Sequence, residues 1–277
     1  MIDKRGQIML KVFINRYPPK DALLKFLPEN FAKKVREQNI FSDDLRPMLE
    51  QPARSVSQMH YSWIEPALKK FPPPLQMIAA GALTEEQATG LKANAKTPIS
   101  HVTKSFLLNQ IYNYLNIAGH TPVEYLPQTE LSQLATWSKY EIVELIDFFG
   151  IYDLAAEVRK IVNRKSLKTI YDCLSSKQLH FLQYCLQQKE RLSFPSMGIN
   201  PQIEGRILLK AVHKRGLNRL AAAFGEEHRD FVWHVAHILD KGRGSLLLKQ
   251  YQQQVPANVI TILKQQAVHL IHFLKKE

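Results

Sequence analysis

The chain has 277 residues, 45% hydrophobic and 22% charged, so it holds enough apolar side chains for a core and is not composed like a disordered segment. No run of about 18 apolar residues occurs, which speaks against a transmembrane helix, and two cysteines speak against a disulfide framework. The net charge of +12 is uneven: residues 1–150 hold 17 Lys+Arg against 15 Asp+Glu, while residues 151–277 hold 20 against 10. The second half therefore favours an anionic partner, whether acidic protein, anionic membrane surface or nucleic acid.

Taken in order, residues 4–16 read as a helix, and charges inside this apolar start argue against a signal peptide. The chain is expected in the cytoplasm. Asp21 caps a short helix with Leu23, Leu24 and Phe26, and Pro28-Glu29 opens another. Prolines at 47 and 52 are read as interruptions. A helix is predicted over 56–69, then a rigid break at Phe71–Pro74. Thr84 and Gln87 have capping-box spacing. Residues 92–98 read as a linker before a helix carrying Phe106, Leu107, Ile111, Tyr114 and Leu115.

The stretch 138–191 is the strongest. Ser138 and Glu141 form a second capping box, and Ile142, Leu145, Ile146 and Phe149 follow at i, i+3, i+4, i+7. Gly150 reads as the end of that helix. Stripes at Leu154, Val158 and Ile161, then at Leu167, Ile170 and Leu174, lead to a third box at Ser175 and Gln178. Residues 193–205 read as a loop with a hinge between Pro195 and Pro201. Helices are predicted over 204–214, with Gly216 as a break, and over 217–224. Asp230 is expected to cap the next, 241–244 to form a tight turn, and a last helix to start at Ala257. No strand pattern competes. The fold class is all-α, in three modules at 1–95, 96–192 and 193–277. Five helix ends share one plan, an apolar residue, then Pro, Ser or Thr, then a polar helix start. That plan suggests a degenerate armadillo/HEAT-like stack of short amphipathic helices.

Chemistry is sparse. No phosphate loop, dinucleotide fingerprint, zinc-protease or nucleophile-elbow motif occurs. Gly242-Arg243-Gly244 lacks a phosphate-binding context. His234 and His237, with His228 and His213 near in sequence, and His269 with His272, have ligand-like spacing but no converging partners, so no metal, cofactor or catalytic residue is expected. Cys173 and Cys185 read as buried small hydrophobes. Cations cluster at Arg159, Lys160, Arg164, Lys165 and Lys168, and again at Lys210, Lys214, Arg215 and Arg219. A nucleic-acid reader would couple them to exposed aromatics, but Tyr152, Tyr171 and Tyr184 fall near apolar stripes.

Residues 23–35 (LLKFLPENFAKKV), 138–162 (SKYEIVELIDFFGIYDLAAEVRKIV) and 237–252 (HILDKGRGSLLLKQYQ) together resemble a chlamydial family of type III secretion proteins. Its gene lies between those of the inner-ring lipoprotein and the stator. That position belongs to the switch protein FliG in flagella and to the adaptor SctK in other injectisomes. The helix starts also resemble FliG repeats architecturally, although the Glu-His-Pro-Gln motif is absent. The resemblance implies a non-enzymatic cytoplasmic adaptor at the inner membrane, bridging the ring to the sorting platform with its stator and ATPase. The basic clusters with Trp233, Arg243 and Tyr251 are the expected contact residues, and no small-molecule substrate is implied. The other reading is a helical nucleic-acid-binding protein using the basic second half.

Overall fold

The computed structural model describes residues 4–16, 22–37, 40, 44, 46–93, 99–115, 119–188, 192, 195–198 and 204–275. Among them all regular structure is helical, with fifteen α-helices, three short 3-10 turns and no strand. In chain order the helices are α1 Lys4–Arg16, α2 Glu29–Arg36, α3 Arg46–Leu49, α4 Gln51–Gln58, α5 Tyr61–Leu68, α6 Pro73–Gly81, α7 Glu85–Gly90 and α8 His101–Tyr114. Then follow α9 Lys139–Val158, α10 Arg164–Asp172, α11 Ser176–Gln187, α12 Gly205–Ala223, α13 Arg229–Ile238, α14 Lys241–Tyr251 and α15 Ala257–Lys275. No helix is long and apolar enough to cross a membrane, among the described residues.

All three capping boxes form. Thr84, Ser138 and Ser175 each accept from the backbone N–H three residues on, and Gln87, Glu141 and Gln178 reach back to the cap's own N–H. Prolines behave differently from the expectation. Pro47 and Pro52 lie in the first turns of α3 and α4, Pro72 is the N-cap of α6, and Pro73-Pro74 open it. A first-turn N–H has no intrahelical acceptor, so proline loses nothing there. The helix predicted over 56–69 is two, α4 and α5, separated at Met59 and His60. The expected Asp21 cap and most of the linker at 92–98 lie outside the described residues.

The chain packs into two compact units, Met1–Ala135 with His228–Lys241, and Thr136–Glu227 with Gly242–Glu277. In the first, one core joins α4 to α8 through Val56, Ile64, Leu68, Phe71, Leu107 and Ile111. Helix α13 belongs to this unit although its chain neighbours α12 and α14 do not. Its C-terminal carbonyls are satisfied by the start of α5. The His60 N–H donates to His237 O at 2.9 Å, and the Trp63 indole N–H donates to Leu239 O at 2.9 Å. The N-cap of α13 is His228, whose Nδ1 accepts from the Asp230 N–H. Asp230, the expected cap, faces inward instead, and its carboxylate accepts from the Thr121 N–H (2.9 Å) and from His120 Nδ1 (3.1 Å).

The second unit is built on α9 crossing α12, with α11 and α15 against α9. Phe181 of α11 packs edge-on or tilted against Phe148 and Tyr152 of α9 and Phe273 of α15, at centroid distances of 5.1–5.5 Å. Neither Gly150 nor Gly216 ends a helix. Both are buried where α9 and α12 touch, and Cβ atoms built on them would fall 2.0 Å from Val212 O and 1.7 Å from Ile146 O. Glycine is there for closeness, not for a turn. The expected turn at 241–244 is the first turn of α14.

Candidate interaction surfaces

The first cationic cluster divides by environment. Arg159 follows α9 and lays its guanidinium over the end of α11, donating to the carbonyls of Cys185 (2.7 Å), Leu186 (3.3 Å) and Gln188. A cation there meets the unpaired carbonyls and the negative end of the helix dipole, so Arg159 is a cap. Lys160 pairs with Glu157 at 3.0 Å. The next three cations differ. Asn163 caps α10 through the N–H groups of Lys165 and Ser166, Ser166 and Ile170 turn inward, and Arg164, Lys165 and Lys168 stand exposed. Among the described residues no carboxylate pairs with any of these three. Beside them Val162 is 94% exposed.

The second cluster divides too. Arg219 is 1% exposed, so it does not lie on a surface that could meet a partner. Arg215 holds the chain at 195–196, donating to Pro195 O (2.7 Å) and Ser196 O (2.8 Å). Lys210 and Lys214 are exposed and, among the described residues, make no ion pair, and Arg206 completes them at i, i+4, i+8, one face of α12. Arg206 escaped the sequence reading because it stands alone in sequence, and only the four-residue period marks it. Ile207, 54% exposed, lies beside the stripe.

The remaining expected contacts are half-buried packing residues. Arg243 Nε donates to His213 Nε2 (2.9 Å), so His213 Nδ1 carries the proton shared with Asp147 (2.6 Å). The chain Asp147–His213–Arg243 links α9, α12 and α14. The Tyr251 hydroxyl donates to Glu227 O at 3.0 Å. Trp233 lies in a four-ring ladder, Trp63, His237, Trp233, His120, with successive centroids 4.1, 3.9 and 4.1 Å apart.

The histidines have structural partners. His234 Nε2 donates to Thr121 O (3.0 Å) and His237 Nδ1 to Trp233 O (2.8 Å), since a carbonyl can only accept. Among the described residues no three His, Cys, Asp or Glu side chains converge on a metal position. Burial pushes the His234 imidazole below its usual range and His237 down to about 4, with the nearby His120 adding repulsion. The unfolded chain binds a proton near pH 6.5 that folded His237 refuses until about pH 4. Stability is therefore full above pH 6.5 and falls as the pH drops toward 4, by up to about 3 kcal/mol for His237. Urea unfolding followed by tryptophan fluorescence at pH 7.5 and 4.5 reads this. His237→Phe, which keeps a ring in the ladder, is expected to flatten the dependence.

No protein-family model, curated protein or solved structure matches the chain.

Proposed function

We propose that this protein is a non-enzymatic cytoplasmic adaptor of a type III secretion basal body, bridging the inner-membrane ring and the sorting platform. The resemblance carried by residues 23–35, 138–162 and 237–252 supports the assignment, as does the reuse of one cap-and-pack plan by successive helices. We read those helices as a degenerate armadillo/HEAT-like, FliG-like array. The observation that carries the reading is the face of Arg164, Lys165 and Lys168, three exposed cations that meet no carboxylate among the described residues, beside the exposed Val162. A cation left unpaired by its own fold attracts an acidic partner and speeds its docking, and an adjacent apolar side chain gives the contact a dry centre. The Arg206, Lys210 and Lys214 stripe offers a second contact of the same kind. Docking through protein partners keeps the molecule peripheral to the membrane.

The triple variant Arg164→Glu, Lys165→Glu, Lys168→Glu is expected to weaken capture of ring or platform components by on the order of tenfold or more. Its melting temperature should stay near that of the parent, because exposed substitutions cost little. Undiminished capture by a folded variant sinks the reading. The same cations allow nucleic-acid binding, which would show as affinity for any duplex falling steeply with salt.

A further inference from the structure

Helices α5 and α6 and the end of α7 enclose a half-open cleft of about 600 Å³ in the first unit, the size of an ordinary small-molecule site. Leu68, Met77, Ala80 and Leu91 give it an apolar wall, and Met77 is 64% exposed at its side. Two lysines reach the rim. Lys69 is neutralised by Glu65 at 2.7 Å. Lys92 is not, since no described carboxylate pairs with it.

Lys92 is also unusual in its backbone. Helix α7 ends in a Schellman motif, with the Ala93 N–H bonded to Ala88 O (3.0 Å) and the Lys92 N–H to Thr89 O (3.0 Å). The motif places Lys92 at φ 54°, the left-handed position where glycine is preferred, and no other described non-glycine residue has a positive φ. A lysine kept where glycine would be easier puts an ammonium group at the mouth of an apolar cleft, and strain retained at a cleft points to a ligand.

We infer that this cleft binds an anionic amphiphile, a linear hydrocarbon chain ending in a carboxylate. The chain lies on Leu68, Met77, Ala80 and Leu91, and the carboxylate pairs with the Lys92 ammonium. Such a site is independent of the adaptor role.

The probe is decanoate, kept below its micelle concentration, with decanol as neutral counterpart. The readout is methionine-methyl NMR of the whole chain. Decanoate is expected to shift the Met77 methyl saturably and to leave the other methionine methyls in place. Lys92→Gly should weaken decanoate by about tenfold, leave decanol unchanged, and unfold at the same or a higher temperature than the parent. An unmoved Met77 methyl overturns the proposal, as does a shift that never saturates or is shared by all methionines. Equal decanoate affinity in parent and Lys92→Gly overturns the pairing with Lys92.

Discussion

Gly216→Ala is expected to destabilise the second unit by about 3 kcal/mol or more, among the largest losses any single methyl could cause here. The reason lies in what the methyl would meet. A Cβ on Gly216 would fall 1.7 Å from Ile146 O and 2.9 Å from Gly150 N, both backbone atoms of α9. A flexible side chain could swing aside, but a helix backbone moves only with its whole helix. Parting α9 from α12 would strip contacts along both and disturb Asp147–His213 and Asp153–Arg219, which span the same pair. Gly150→Ala meets Val212 O at 2.0 Å from the other side and is expected to cost a similar amount. Gly119→Ala, with nothing within 4 Å of the added atom, is the control and should change little. Urea unfolding followed by circular dichroism measures all three. A Gly216→Ala variant within 1 kcal/mol of the parent would mean that α9 and α12 do not touch at these glycines.

The two glycines also show where sequence reading stops. A capping box is local, with donor, acceptor and spacing inside four residues, so Ser138, Ser175 and Thr84 were legible at sight. A glycine between two apolar stripes is not. A helix end and a close helix crossing use the same residue, and only the partner helix, some sixty residues away in sequence, decides. Separation in sequence likewise hid the fate of Asp230, whose helix-start position reads as a cap until Thr121 and His120 claim its carboxylate. It also hid the membership of α13, whose anchor is the first turn of α5. The cations were legible as a count and illegible as a surface. Of those clustered around α10, Arg159 and Lys160 are spent within the fold, and Arg164, Lys165 and Lys168 meet no carboxylate among the described residues. Exposure and pairing sort them, and neither is a property of spacing.

Arg219 is the sharpest such case, and truncating it is expected to cost about 3–5 kcal/mol. Its guanidinium sits among α9, α12 and α15. Nε and Nη2 both bond Asp153 Oδ1, at 3.1 and 2.6 Å, Nη1 donates to Gln266 Oε1 at 2.8 Å, and Cζ lies 5.4 Å from the Tyr152 ring centre. Asp153 is itself buried. Arg219→Met fills much of the same volume but leaves a carboxylate in the interior with its cation gone, and that orphaned charge supplies most of the loss. Removing the charge as well should recover it. Arg219→Met with Asp153→Leu is expected to return to within about 1–2 kcal/mol of the parent, because two buried ions cost nearly as much to desolvate as their attraction repays. A double-mutant cycle by urea unfolding reads the coupling directly. If the single variants add, with no recovery in the double, the pair is not the interior tie between α9 and α12. If Arg219→Met also weakens capture of a partner while the double variant restores stability and not capture, Arg219 acts on binding through the surface it supports. The fold alone predicts that stability and capture return together.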